Sequence, residues 1–460
     1  MKEYDIIIAG AGASGVFMSY ELTKIKNNAR VLMIDKGGPL SSRVCPINSG
    51  DVQNCVKCDP CHIMNGYGGA GTLSDGKYNI TTLFGGELHQ YIGVDKALEL
   101  MEYVDQVLCD MGGADAKLYS TDTSDLKTVA LKNNLHLLDA KVRHLGTDRN
   151  AKILQKIYEY TEKRIEIRFN TTLDDVDVIS GGGYKVKTDK GEEIACKQLV
   201  LAAGRSGSKW IADVCDKLSI EQKRNRVDIG VRVELPAEIF KHITDDVYES
   251  KLVYKTDKYN DMVRTFCMNP YGEVVAENTG GIVTVNGHSY ADPNLRTENT
   301  NFALLVSNNF TEPFRNSNEY GESIARLSNM LGGGVILQRF GDLVKGRRSS
   351  ERRMLKCFTR PTLKATPGDL SLVIPKRQLD NIIEMIYALD KIAPGTANED
   401  TLLYGVEVKF YNSRVQVDEN LETASKGLYV LGDGSGVTHS LSQASASGVH
   451  VARILAGKYT

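Results

Sequence analysis

Four of the nine cysteines in this 460-residue chain fall within one short stretch, Cys45-Pro-Ile-Asn-Ser-Gly-Asp-Val-Gln-Asn-Cys55-Val-Lys-Cys58-Asp-Pro-Cys61. Their spacing is C-x9-C-x2-C-x2-C: three close-set thiols and one more remote. An iron–sulfur cluster is held by such a set, with C-x2-C-x2-C and one distant ligand. Four thiolates also suit a closed tetrahedral zinc site. A Cys58/Cys61 dithiol is the third reading, since a thiol near a redox group can exchange electrons with it. Spacing alone does not separate soft-metal sites. A four-iron, four-sulfur cluster on Cys45, Cys55, Cys58 and Cys61 is the first expectation, with zinc as the alternative.

A second pattern carries different chemistry. Asp5-Ile-Ile-Ile-Ala-Gly10-Ala-Gly12-Ala13-Ser14-Gly15 has three glycines at G-x-G-x-x-G spacing, and Val31-Leu-Met-Ile-Asp35-Lys36 ends in an acid twenty residues after Gly15. In a dinucleotide site Gly10 makes the tight turn, Gly12 lets the backbone approach a pyrophosphate, and Gly15 lets helix and strand pack closely. Asp35 is then expected on the adenosine ribose hydroxyls. A glycine pattern alone is weak, and here its context supports it. A continuous apolar run precedes it, and inward positions Val16, Met18 and Leu22 follow at helical spacing.

The far end of the chain points to FAD. Gly427-Leu-Tyr-Val-Leu-Gly432-Asp433-Gly434 reads as a strand ending in Gly-Asp-Gly, and a helix beginning near Gln443-Ala444 follows His439. Asp433 would meet the ribityl hydroxyls, and the helix N-terminus would face the flavin pyrimidine oxygen. A strand-turn-helix that merely closes the sheet is compatible with the same residues.

These groups need a frame. The composition, 42% hydrophobic and 25% charged, supports a large core, and the length allows roughly three units of about 150 residues. Net charge is −2, so no global basic field indicates nucleic acid or an anionic membrane. No apolar run approaches the roughly 20 residues of a membrane span, and the first residues lack a signal-peptide pattern. A cytoplasmic protein is expected, with neither nucleic acid nor membrane as partner. Helices are expected over 94–112, 151–164, 319–331 and 376–391, and a small antiparallel meander over 173–201. Its end, Val200-Leu-Ala-Ala-Gly204, returns to the nucleotide-binding sheet. From about residue 225 a separate set of strands begins. Lys345-Gly-Arg-Arg-Ser-Ser-Glu-Arg-Arg353 is the one basic concentration; it reads as a solvated face, with an anionic-substrate or partner-docking surface as the alternative.

Five segments occur in an order that resembles a family of largely uncharacterised prokaryotic FAD-dependent dehydrogenases, often labelled NAD(P)/FAD-dependent oxidoreductases. They are Asn65-Gly-Tyr-Gly-Gly-Ala-Gly-Thr-Leu-Ser-Asp-Gly-Lys77, Arg143-His-Leu-Gly-Thr-Asp148, Thr265-Phe-Cys-Met-Asn-Pro-Tyr-Gly-Glu-Val-Val275, Val285-Asn-Gly-His-Ser289 and Gly432-Asp-Gly-Ser-Gly436. The resemblance implies a FAD-binding fold with an inserted substrate domain, and it implies no substrate. The family often has a second cysteine in its Phe-Cys-Met-x-Pro segment. This chain has Asn269 there, so no paired thiol carries over to Cys267. Gly66-Tyr-Gly68-Gly69-Ala70-Gly71 repeats the glycine spacing without a preceding strand. With the resemblance, it reads as a loop against the flavin, where Ser74, Asp75 and Lys77 set the local charge. No second Rossmann unit is evident, so NAD(P)H would bind only transiently.

The fold class expected is α/β: a Rossmann-like FAD-binding domain with a single dinucleotide site, formed by 1–224 and 401–460, and an inserted α+β substrate domain, 225–400. The expected function is hydride or two-electron transfer between FAD and a small-molecule substrate, with an iron–sulfur relay of electrons as an option. His439, Lys77 and His288 are the candidate catalytic residues, and Tyr290 and His144 are further polar candidates. The cofactor set is Gly10, Gly12, Ala13, Ser14, Gly15, Asp35, Lys36, Gly69, Ala70, Gly71, Ser74, Asp75, Gly204, Gly432, Asp433, Gln443 and Ala444. Two alternatives are an electron-transfer flavoprotein serving a partner such as an electron-donor protein, and FAD-dependent modification of a macromolecule.

Overall fold

The structure is a computed structural model that describes every residue except 1, 26, 27, 47, 48, 50, 52–55, 57, 123, 224, 280, 291, 309–316, 412 and 460. The chain forms two compact units. The first comprises Met1–Leu118, Arg143–Arg224 and Asn412–Thr460; the second comprises Tyr119–Val142 and Asn225–Tyr411.

The first unit is built on a sheet whose order is Glu166–Arg168, Val31–Ile34, Lys2–Ala9 and Glu193–Leu201. The apolar runs Ile6-Ile-Ile and Leu32-Met-Ile are buried on both faces, as expected for parallel strands covered by helices. Glu193–Leu201 changes partner along its length. Glu193 to Cys196 pair antiparallel with Tyr184–Thr188, whereas Leu199 to Leu201 pair parallel with Leu428–Val430. One strand thereby joins the meander to the nucleotide-binding sheet. The helices Ala13–Ile25 and Leu441–Ala456 cross closely at Gly448, where a Cβ would lie 2.1 Å from the Ser14 carbonyl oxygen. The expected helix over 94–112 stops at Leu108; the chain then turns through Cys109–Gly113, where Gly112 has φ +115°. The expected helix over 151–164 starts earlier, at Thr147.

In the second unit an eight-stranded sheet runs in the order Thr366–Pro367, Ile336–Arg339, Leu402–Phe410, Val227–Pro236, Asn299–Asn308, Met262–Asn269, Leu252–Lys255 and Leu135–Leu137. Two boundaries differ from the sequence reading. Residues 402–410 pair with Val227–Pro236 and belong here, so the insertion extends past 400. Leu135–Leu137 pairs with Leu252–Lys255, which draws 119–142 into this unit. Neither pairing leaves a local periodicity that sequence could reveal.

The strand Val227–Pro236 alternates Val, Ile and Leu with polar residues, a pattern that predicts one wet face. Both faces are dry: Asp228, Arg232 and Glu234 are all fully buried. Arg232 donates to both Glu407 oxygens at 2.8 and 3.0 Å, and to Asn301 Oδ1, Asn286 Oδ1 and the Cys267 carbonyl. Gly287 is required beside it, because a Cβ there would lie 2.0 Å from Asn301 Oδ1 and 2.7 Å from Arg232 Nη1. Glu234 accepts from Tyr404, Asn299 and Thr362. Burial pushes the Glu234 carboxyl up from its ordinary value against these hydrogen bonds. Removing one member of a buried pair leaves the other charge unpaired. Arg232→Met is therefore expected to destabilise the second unit by about 3–5 kcal/mol. Urea unfolding checks this, and a change below about 1 kcal/mol would contradict it. No helix among the described residues is long and apolar enough to cross a membrane.

Candidate functional site

The glycine motif divides into two kinds of position. At Gly10 (φ +115°) a Cβ would lie 2.3 Å from the Ala202 carbonyl oxygen, and at Gly15 it would lie 2.1 Å from the Gly10 carbonyl oxygen. These two glycines are required by packing within the protein. Gly12 is different: its nearest neighbour would be the Ala202 oxygen at 4.0 Å. The protein leaves space at the position where a dinucleotide pyrophosphate approaches the backbone, beside the N-terminus of Ala13–Ile25.

A loop closes over this turn. Gly68 N–H donates to the Ala11 carbonyl at 2.7 Å, and a Cβ on Gly69 would lie 3.0 Å from Gly12 Cα. Asp35 helps to hold the loop. Its carboxylate accepts from the N–H groups of Ala11 (2.8 Å), Gly37 (2.7 Å) and Gly66 (2.9 Å). An acid expected on a ribose therefore also fastens two segments of its own chain, with one acceptor position left by valence. Lys36 Nζ donates to the Ser206 carbonyl at 3.4 Å.

Arg43, which the sequence reading did not single out, organises the same loop. It is 5% exposed and donates to four carbonyls: His62 (3.0 Å), Tyr67 (2.7 Å), Ile63 (2.6 Å) and Gly69 (2.8 Å). Burial pushes its guanidinium down to about 10, while Asp35 and Cys61 pull it back up. An arginine between the ribose acid and the cysteine run was the available sequence signal. Ala70 is exposed at the loop tip; Gly71 packs on Leu441, and its carbonyl accepts from Ser74 Oγ and from buried Asn150. Lys77 pairs with Asp75 at 2.9 Å.

The C-terminal motif meets the same turn. Gly432 has φ +71°, and a Cβ there would lie 2.7 Å from Ser14 Oγ. The Gly204 turn (φ +63°) packs against Gly434, where a Cβ would lie 2.7 Å from the Gly204 oxygen. Asp433 Oδ1 is 2.9 Å from His439 Nδ1, and Oδ2 is 3.1 Å from Arg205 Nε. Burial alone would raise this carboxyl, but Arg205 and His439 hold it well below the usual carboxylate range. An ionised carboxylate only accepts, so Nδ1 of His439 carries the proton and Nε2 is the basic nitrogen. Arg205 was also missed; its position directly after the strand-ending Gly204 was the signal.

Gln443 has a role within the protein. It is buried, donates from Nε2 to the Thr81 and Phe84 carbonyls, and accepts the Leu88 N–H on Oε1. Ala444 is buried one residue further along the same helix. Near the start of that helix Thr438 Oγ1, Ser442 Oγ and Ser445 Oγ are buried without a hydrogen-bond partner among the described residues. Such groups call for a polar ligand or water. Together with the space at Gly12, they fit a bound dinucleotide.

His288 belongs to the second unit. Its Nε2 lies 3.2 Å from Glu273 Oε1 and 3.1 Å from the Tyr290 hydroxyl, which donates to the same Glu273 oxygen at 2.5 Å. Burial and the Glu273 hydrogen bond push the Tyr290 hydroxyl up to about 12. His144 lies in the first unit, on the strand Lys141–His144.

Cys45, Cys58 and Cys61 are free, part-exposed thiols, and Cys55 lies outside the described residues. No group of three His, Cys, Asp or Glu side chains among the described residues is placed to hold a metal. With Cys55 outside the described residues, the four-cysteine set is not described as a whole, and no step is derived through a metal there.

Residues 226–410 match the family model described as FAD-dependent protein, C-terminal domain-like. That match covers most of the second unit. No curated protein matches the chain. Among solved structures, glycine oxidase from Geobacillus kaustophilus is 12% identical, with a TM-score of 0.43, over 100% of this chain and 96% of that one. NikD, an unusual amino acid oxidase, is 11% identical with a TM-score of 0.41, over 100% of this chain and 95% of that one. CtdE, solved with FAD, is 10% identical with a TM-score of 0.34, over 97% and 82%. Likeness of that degree assigns neither substrate nor chemistry.

Proposed function

We propose that the protein is a FAD-dependent oxidoreductase that takes a hydride from a small organic substrate bearing a C–H next to an ionisable O–H or N–H. The observation that carries this reading is the Asp433–His439 pair beside the glycine-lined turn. Bound FAD supplies the two-electron acceptor. The chain's own residues do the rest. Gly12 and the helix N-terminus beside it receive the pyrophosphate, and the Gly66–Gly71 loop, held by Asp35 and Arg43, covers it. Asp433 fixes the orientation of the His439 ring through Nδ1, and His439 Nε2 accepts the substrate proton as the hydride leaves. Lys77, at the start of the strand Lys77–Ile80, is held by its ion pair with Asp75.

Two measurements test this reading. Gly12→Ala adds a Cβ that the protein accommodates, so the apo-protein is expected to melt within about 0.5 kcal/mol of wild type. FAD affinity is expected to fall at least about tenfold, or about 1.4 kcal/mol, in a fluorescence titration. Unchanged affinity would remove Gly12 from the site. Anaerobic mixing of the FAD-loaded protein with panels of small alcohols and amines should bleach the flavin band for at least one class. A protein that retains FAD yet is reduced by none of them, and only by an electron-carrier protein, would favour the electron-transfer alternative.

The iron–sulfur relay is the finer part of this proposal. It needs Cys55 together with Cys45, Cys58 and Cys61. Iron and acid-labile sulfide counts on anaerobically purified protein, about four of each per flavin, are its expected result. Zinc as the stoichiometric metal, or no metal, would discard the relay and leave the hydride chemistry untouched.

A further inference from the structure

The basic run of the second unit resolves into two sets of side chains. Arg347 and Arg353 turn inward to buried Asp342, at 2.7 and 3.7 Å, and Lys345 pairs with Glu399. Arg348, Arg352, Lys356, Arg360 and Lys364 are exposed; among the described residues Arg348 and Arg360 donate only to backbone carbonyls, at 3.4 Å. Among them stand two large apolar side chains, Leu355 at 76% and Phe358 at 78% exposure. Their neighbours Met354 and Cys357 are buried in the apolar cluster of Val335, Leu337 and Tyr404. Asp400 fastens the turn by accepting the Phe358 N–H at 2.7 Å. The turn thus has an anchored inner side and an apolar outer side, with five exposed basic residues and one exposed acid, Glu351, along the same stretch of chain.

We propose that this turn docks the protein on an anionic lipid surface, inserting Leu355 and Phe358 among the acyl chains while the five basic side chains meet the headgroups. Charge complementarity selects an anionic surface. The form of the apolar pair selects lipid over a rigid protein. Both side chains protrude by more than three quarters of their surface, and a deformable acyl boundary can enclose them where a rigid partner needs a matching hollow. The net charge of −2 conceals the site because the concentration is local.

The test is co-sedimentation of the full FAD-loaded chain with vesicles. One set is phosphatidylcholine alone, and the other contains about one third phosphatidylglycerol. Binding is expected to the anionic vesicles only, and to fall severalfold when salt is raised from about 0.1 to 0.5 M. Leu355→Ser with Phe358→Ser should reduce partitioning about tenfold. Arg352→Glu with Lys356→Glu should reduce it at least as much. These exposed positions leave folding intact, which an unchanged melting temperature verifies. Absence of binding to anionic vesicles, equal binding to both sets, or wild-type binding by either double variant would overturn the proposal.

Discussion

His439→Asn is expected to lower turnover about a hundred- to ten-thousandfold while the protein keeps its full complement of FAD. The variant preserves a hydrogen-bonding group toward Asp433 and removes the proton acceptor. Asp433→Asn should produce a loss of similar size by another route. The amide can donate to Nδ1, which shifts the ring proton to Nε2 and blocks the acceptor position; this change of tautomer costs about ten-thousandfold in a serine-protease triad. It also removes the charge that Arg205 pairs with, so some loss of FAD affinity should accompany the loss of rate. A His439 variant with normal turnover would remove the dyad from the mechanism, whatever became of FAD binding. The ion pairs have a pH signature too. The folded carboxyl of Asp433 lies below its unfolded value, so its contribution to stability is fully present above the ordinary carboxylate range near pH 3.9. That contribution is lost only as the pH falls through the lower folded value. Asp433→Asn should therefore narrow the stability difference from wild type at strongly acidic pH.

Arg43→Met is expected to have the largest effect on cofactor retention outside the glycine turn. It leaves the carbonyls of His62, Ile63, Tyr67 and Gly69 without their shared donor. The Tyr67 and Gly69 carbonyls keep the Thr72 hydroxyl and N–H, whereas those of His62 and Ile63 lose their donor; at about 1–3 kcal/mol for each unsatisfied buried acceptor, a net loss of about 3 kcal/mol is expected in urea unfolding. Because the loop lies over Gly12, FAD affinity should fall about a hundredfold or more in a fluorescence titration. Arg43→Lys should rescue little, since an ammonium lacks the planar fork that reaches several carbonyls at once. Wild-type FAD affinity in a destabilised Arg43→Met protein would show that the loop does not govern the cofactor.

The strand-turn-helix at the front was legible because each element carries its own local signal: the apolar run, the glycine spacing and the acid at the end of the next strand. Sequence also distinguished Gly10 and Gly15, which pack against backbone, from Gly12, which faces space. It did not reveal that Asp35 spends three acceptor positions on its own chain, because Gly66 is thirty-one residues away and approaches only in the folded loop. Gln443 was legible as a residue of the right helix, but the carbonyls it satisfies come from residues 81 and 84. The set of strands expected from about residue 225 begins with Val227–Pro236, but the alternation in that strand implied a wet face where the structure buries Asp228, Arg232 and Glu234. The charge run 345–353 showed its sign in sequence, while the inward turn of Arg347 and Arg353 depended on a buried aspartate at its edge. Except for the Asp342 pairs, which are close in sequence, the missing information was a contact between segments far apart in the chain.

The two short strands Gln222–Lys223 and Arg414–Val415 pair antiparallel, Gln222 with Val415 and Lys223 with Arg414. They lie where the chain leaves the first unit and where it returns. The excursion between them is thus a loop whose ends are already zipped together. Closure entropy grows only with the logarithm of loop length, about 0.6 kcal/mol for each doubling. The parallel pairing of Leu199–Leu201 with Leu428–Val430 is therefore nearly indifferent to how much chain is threaded between the zipped ends. A nucleotide-binding frame closed in this way tolerates exchange of the excursion for one of different size. Such an exchange would have to carry the 119–142 segment with it, since Leu135–Leu137 pairs within the second unit, and it would leave the glycine turn at Gly10–Gly15 unaltered.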